Sequence, residues 1–238
     1  PLEFQTVLGG HIDTLKFKDI RVRTLDDKLK ITAEGRMDNV TKKHALTLDF
    51  FNIAMQAKGG IKETLVSHFA KVVRLKMLRQ LQAVGDISFN GRLGVKYKLV
   101  DVQGLLHCKQ ADLRFKFYID GQEKMLHGEA KSDKINLGEI MNVNALTIGR
   151  TTAKFAINTG KNTPKGQYAN KHHGRLPIGP LTAEIDEAEY GIVKVKRILA
   201  DVTSNGVVAE GTIHAINSLV DADVAFEYKQ TDEEQDLK

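Results

Sequence analysis

The feature that most constrains this chain is an alternation of apolar and polar residues with a period of two. Leu113, Phe115, Phe117 and Ile119 alternate with Asp112, Arg114, Lys116 and Tyr118. Leu46, Leu48 and Phe50 fall on one side of another such run, with Ala45, Thr47 and Asp49 on the other. Near the C-terminus Val220, Ala222, Val224, Phe226 and Tyr228 alternate with Asp221, Asp223 and Glu227. Successive side chains of a strand point to opposite faces, so each run predicts a strand with one apolar and one wet face. More loosely bounded strands are expected over Ile12–Phe17, Ile20–Leu25, Lys28–Gly35, Asp86–Leu93, Tyr97–Gly104, Leu105–Cys108, Lys124–Ala130, Leu146–Ile157, Leu181–Tyr190, Ile192–Val202 and Val207–Ile216.

Short turn-forming links join these runs: Asp26-Asp27, Asp120-Gly121, Ser204-Asn205-Gly206 and Asn217-Ser218. Asn205-Gly206 is a hairpin signal, because such turns need positive φ, which Asn and Gly tolerate. Hairpin after hairpin implies an antiparallel meander. The expected fold is therefore all-β: an elongated, curved antiparallel sheet forming an apolar trough, with one amphipathic packing helix. That helix is expected over about 61–81, where Ile61, Leu65, Phe69, Val72 and Val73 share a broad face and most of the basic residues lie opposite.

A second interruption, Asn158 to Pro180, holds all but one of the prolines, together with Gly160, Gly166, Gly174 and the His172-His173 pair. It reads as a long loop. The resulting organisation is a curved sheet over 1–158, a loop or linker over 159–180, and further antiparallel strands over 181–238. Those last strands belong to the same or to a second sheet, and Asp232, Glu233 and Glu234 suggest a frayed acidic tail. A faint repeat punctuates the strands: Ala33-Glu34-Gly35, Phe89-Asn90-Gly91, Leu126-His127-Gly128 and Ala209-Glu210-Gly211. Glycine inside a strand marks a bulge, a bend or a close approach, and used repeatedly it curves a sheet.

Composition narrows the function. With 42% hydrophobic and 27% charged residues among 238, the chain is of ordinary folding composition. No run approaches the roughly 20 apolar residues of a spanning helix. The chain starts at Pro1 without a charged and apolar leader, which reads as a segment of a longer protein or a processed chain. The single Cys108 excludes internal disulfides and four-cysteine zinc frameworks. The net charge of +5 is spread among 30 acidic residues rather than gathered into a basic stripe.

Catalytic signatures are missing from the sequence. There is no G-x-S-x-G elbow, P-loop or dinucleotide fingerprint. Adjacent histidines in an extended segment point apart, so His172-His173 does not read as a metal site. Glu184, Asp186, Glu187 and Glu189 offer carboxylates, but their alternation is that of a solvated strand face. Phe115, Phe117 and Phe226 lie on apolar faces without cations in register, and there is no Trp, which argues against nucleic acid. The expectation is a non-enzymatic protein with no cofactor and no metal. Its candidate binding residues lie on the apolar faces: Leu46, Leu48, Phe50, Leu113, Phe115, Phe117, Val224 and Phe226.

The segment Leu78 to Met141 resembles the AsmA/TamB family of bacterial envelope proteins, and specifically the large AsmA-like proteins of Bacteroidetes. The likeness rests on Leu78-Arg79-Gln80-Leu81, Val84-Gly85-Asp86-Ile87-Ser88-Phe89-Asn90-Gly91-Arg92-Leu93, Val102-Gln103-Gly104-Leu105-Leu106 and Leu126-His127-Gly128-Glu129-Ala130. Ile135-Asn136-Leu137-Gly138-Glu139-Ile140 is similar to the family's leucine-glycine turn. The likeness covers about Gly9 to Met141, is weaker from Ala145 onward, and is a spacing of apolar and glycine positions rather than a catalytic signature. It implies a periplasmic module anchored to the inner membrane by an N-terminal helix absent from this chain. It further implies that acyl lipid such as phospholipid is bound for transport and outer-membrane biogenesis, with outer-membrane assembly proteins as further partners. The alternative reading is a structural or chaperone-like module that receives partner strands at open sheet edges by β-augmentation.

Overall fold

The computed structural model describes residues 2–61, 82–141, 145–158, 176–216, 221–230 and 235–237. Most of the expected helix over 61–81, with Leu65, Phe69, Val72 and Val73, lies outside them, as do His172 and His173.

The described residues form fifteen strands of one antiparallel sheet. They are β1 (Leu2–His11), β2 (Thr14–Thr24), β3 (Leu29–Asp38), β4 (Thr47–Ala57), β5 (Ile87–Lys96), β6 (Leu99–Cys108), β7 (Ala111–Asp120), β8 (Met125–Ile135), β9 (Leu146–Ile148), β10 (Thr151–Asn158), β11 (Ile178–Tyr190), β12 (Val193–Asn205), β13 (Val208–Ile216), β14 (Asp221–Gln230) and β15 (Gln235–Leu237). A short helix, α1 (Leu137–Met141), precedes β9. Spatial order follows chain order, except that β8 pairs with β10 while β9 pairs with β11 and β8 at the margin. With neighbouring strands about 4.8 Å apart, the curved meander is roughly 60 Å across.

Several expected boundaries move. Ile12–Phe17 and Ile20–Leu25 are one strand, β2, interrupted by a bulge at Asp19, whose φ is +57°. Tyr97–Gly104 and Leu105–Cys108 join as β6, with Tyr97 left in the preceding turn. Leu146–Ile157 instead breaks at Gly149-Arg150 into β9 and β10, because β9 turns away to pair with the far end of β11. The strands after residue 176 continue the first sheet through the β10–β11 ladder, and β11 begins at Ile178, so Pro180 lies within it. The final strand β15 lies in the stretch read as a frayed tail, of which 231–234 are outside the described residues. The hairpin at Asn205-Gly206 forms as the sequence indicates: Asn205 Oδ1 accepts from the Val207 and Val208 amides at 3.0 and 2.9 Å, and Gly206 has φ +99°.

Two further bulges, at Asn52 (φ +52°) and Arg197 (φ +47°), insert extra residues into β4 and β12. Each bulge increases local twist, which a sheet this wide needs if it is to curl rather than lie flat.

The burial pattern is that of a single layer. Among the described residues the buried apolar side chains are only Leu29, Ala57, Cys108, Val207 and Val208. The chain exposes 15976 Å², whereas a compact monomer of this mass exposes about 10,700 Å². No helix of the described residues is long and apolar enough to cross a membrane.

Candidate apolar binding face

Register turns the sequence alternation into continuous stripes. One row of directly paired residues runs from β1 to β14: Leu8, Phe17, Gly35, Phe50, Leu93, Val102, Phe117, Gly128, Phe155, Leu181, Val202, Gly211 and Phe226. A parallel row runs Ile53, Gly91, Gly104, Phe115, Ala130, Ala153, Ala183, Ala200, Ile213 and Val224. No polar side chain interrupts either row. A one-residue slip in any ladder would turn that strand's apolar side chains to the opposite face, so the apolar patterning itself fixes register.

Glycine and phenylalanine interlock along these rows. A Cβ built on Gly128 would lie 2.2 Å from Phe155 Cζ, and one on Gly35 would lie 2.5 Å from Phe50 Cδ1. Gly91 and Gly104 both lie beneath Phe89 in the same way, at 2.4 and 2.3 Å from its ring. Rings laid over glycine reach across a strand to one another: Phe17 meets Phe50 at 6.1 Å between centroids, and Phe117 meets Phe155 at 5.7 Å. Phe89, Phe115 and Phe117 form a stacked run, at 5.8 and 4.6 Å. Offset aromatic contacts of this kind add to area burial. The result is a smooth aromatic floor in mid-sheet, on which the punctuating glycines act as close-approach positions.

The seven candidate residues that lie in strands take the apolar side. Leu48 and Phe50 lie on β4 with Leu46 just before it; Leu113, Phe115 and Phe117 lie on β7; Val224 and Phe226 lie on β14. The register links them through rows rather than gathering them into one pocket. Phe115 and Phe117 touch, whereas Val224, 52% exposed, is at the far margin. Phe17, Phe89 and Phe155, outside the candidate set, complete the floor; the available signal was a Phe paired with Gly35, Gly128 or Gly211, or two residues before Gly91 on the same strand.

The opposite face is charged and self-neutralising. Arg92 clasps Asp49 with two parallel bonds, at 2.9 and 3.0 Å, which raises the arginine's pKa. Lys194 bridges Glu187 and Glu189 at 2.7 and 2.8 Å, so those carboxylates are ion-paired surface groups. A hydrogen bond from Lys131, reinforced by the charges of Lys131, Lys154 and Lys116, holds the Glu129 carboxyl below its ordinary range. In the turn between β2 and β3, hydrogen bonds from Thr24 and Lys28 bring Asp26 down to about 2.

Two exposed cross-strand His–Asp pairs, His107–Asp112 and His214–Asp223, also lie on this side. Ser88 is the ladder partner of His107 on its other flank, which sets Ser, His and Asp in a line. Acyl transfer would also need a Ser–His hydrogen bond and free amide donors for an oxyanion; here the flanking amides belong to the ladders. Among the described residues, no three His, Cys, Asp or Glu side chains converge as a metal site would require.

The arrangement defines a class: a single-layer antiparallel meander with one continuous apolar face and one ion-paired face. No family model matches the chain, and neither curated proteins nor solved structures supply a match.

Proposed function

We propose that this chain is a non-enzymatic lipid-handling module whose apolar sheet face holds phospholipid acyl chains. The observation that carries the proposal is the pair of unbroken apolar rows, ten and thirteen residues long, on a sheet whose side chains are mostly half-exposed. Each methylene removed from water contributes about 0.8 kcal/mol, so a stripe of this kind binds an acyl chain without any specific polar contact. The likeness to the AsmA/TamB family supports the same reading. On that likeness the proposed setting is the periplasm at the inner membrane, and the proposed role is phospholipid transport and outer-membrane biogenesis.

One observation favours a second reading. The outer edge of β1 pairs with no described strand, and its ten residues carry Glu3 as their only acidic or basic group besides His11. Natural edges are usually blocked by lysine, proline or bulges. An edge this open accepts a partner strand by β-augmentation.

The test pairs fold with lipid content. Wild type and the variants Phe115→Asp and Phe226→Asp are purified without detergent from bacterial membranes, melted by circular dichroism, and extracted for thin-layer chromatography. The lipid reading expects extractable lipid in wild type, with at least one variant folded and depleted of lipid, because an aspartate on an open face reaches water. If wild type carries no lipid and both variants unfold, the face is covered by protein and the reading fails.

A further inference from the structure

Turns between strands line the sheet at two opposite rims, and the two differ in charge. On one rim lie the β3–β4 turn (39–46) and the β5–β6 turn (97–98), which contain Lys42, Lys43 and Lys98, with Lys96 at the adjoining end of β5. Neither turn contains an aspartate or glutamate. Among the described residues none of these four lysines is ion-paired. At the neighbouring strand ends Asp38 is paired with Arg36 at 2.8 Å, whereas Asp13 accepts from Thr41 of the β3–β4 turn at 2.9 Å and Asp120 accepts the Gln122 and Glu123 amides at 2.8 and 3.0 Å, so Asp13, Asp120 and Glu123 share this rim with the more numerous lysines. On the opposite rim two lysines are neutralised, Lys28 by Asp26 at 3.1 Å and Lys109 by Glu139 at 3.4 Å.

The lysine-bearing turns form a fixed platform. Asn39 donates its amide to Asp13 O at 2.8 Å and its side chain to Ala45 O at 3.1 Å, and the Tyr97 amide donates to Leu46 O at 3.1 Å. The Tyr97 ring packs edge-on against His44 at 5.1 Å and lies 5.3 Å from Lys98 Nζ, a cation–π contact that positions the ammonium. Tyr97 has φ +53° in a two-residue hairpin where Asn or Gly would be unstrained. Strain of this kind is kept where the surroundings or the function require that side chain. One residue inboard of the rim runs the apolar row Met37, Leu48, Val95, Val100 and Ile119.

Building on the acyl-chain reading, we propose that this rim binds the phosphate of an anionic amphiphile whose hydrocarbon chain lies on the adjoining apolar rows. Clustered ammonium groups give charge-assisted hydrogen bonds to phosphate oxygens, and the flexible lysines suit a headgroup of variable substitution. The bound lipid would thereby acquire an orientation, headgroup toward the β3–β4 and β5–β6 turns.

The experiment uses N-phenyl-1-naphthylamine, a neutral fluorophore, as the probe of the apolar face, displaced by dodecyl phosphate or by dodecanol. Wild type should bind the fluorophore, and dodecyl phosphate should displace it at roughly tenfold lower concentration than dodecanol, a ratio typical of one good charge-assisted contact. Lys42→Glu/Lys43→Glu/Lys98→Glu should abolish that advantage while leaving dodecanol unchanged. Lys28→Glu/Lys58→Glu/Lys109→Glu, on the opposite rim, should keep it, and the neutral Lys42→Gln/Lys43→Gln/Lys98→Gln variant should lose it without reversing charge. If the fluorophore does not bind, the acyl reading fails and this assignment with it. If it binds but the two amphiphiles are equipotent, or the opposite-rim variant loses the preference, only the headgroup assignment is overturned. Inorganic phosphate should leave the preference intact at concentrations where dodecyl phosphate acts; erasing it there would identify a free-phosphate site instead.

Discussion

The middle of the apolar face and its β1 margin are written in the same alternating code, yet they are different environments. In mid-sheet Phe115 is stacked between Phe89 and Phe117 and flanked by ladders on both sides. On β1, Phe4 and Leu8 are 66% and 60% exposed, with a neighbour on β2 only. The difference shows that shielding here comes sideways, from adjacent strands in the same layer, and that a side chain's value depends on how many strands flank it.

The largest effect that would break this comparison is steric. A Cβ at Gly104 would sit 2.5 Å from the Asn90 carbonyl oxygen, which cannot move without opening the ladder, as well as 2.3 Å from Phe89. Gly104→Val should therefore destabilise by about 3 kcal/mol in urea unfolding. At Gly9 in β1 a Cβ meets nothing within 4 Å, so Gly9→Val should be neutral or stabilise by a few tenths of a kcal/mol through strand propensity. Equal losses at both sites would show that the margin is as tightly covered as the centre.

A smaller effect sharpens the same contrast. Removing a fully buried phenylalanine costs roughly 3–5 kcal/mol, so half-covered Phe115→Ala should cost about 2 kcal/mol. Phe4→Ala should cost below about 0.5 kcal/mol. A Phe4 loss as large as that of Phe115 would mean that another strand covers β1 in solution, which is what the β-augmentation reading requires.

The smallest expected effect is electrostatic. Asp26 is held down to about 2 by hydrogen bonds from Thr24 and Lys28, so its folded pKa lies below its unfolded one. Its contribution is present above pH 4 and is lost as pH falls toward 2. The melting-temperature gap between wild type and Asp26→Asn should be small at pH 5, because the group is exposed, and should narrow as pH falls toward 2. A gap that widens on acidification would contradict the turn geometry.

The all-β class, the meander order and the Asn205-Gly206 hairpin were legible because each rests on local rules of periodicity and turn chemistry. The apolar side of the candidate residues within strands was legible for the same reason. What escaped was information carried between strands. The fusion of two runs into β2 depends on a bulge at Asp19, a residue type with no obligatory signal for positive φ. The break between β9 and β10 depends on β9 finding β11, some forty residues further along. The aromatic floor depends on which glycine falls opposite which phenylalanine, and that is a property of register rather than of either strand alone.

Because nearly every strand pairs only with the strands before and after it in the chain, the molecule is quasi-one-dimensional, like a stack of repeats rather than a sphere. Where a short turn joins two strands, folding pays little loop-closure entropy and can start at whichever hairpin forms first; the longer links between β4 and β5 and between β10 and β11 cost more. Loss then proceeds from the ends. A pulling force applied along the meander should detach strands one hairpin at a time instead of rupturing the fold in a single event.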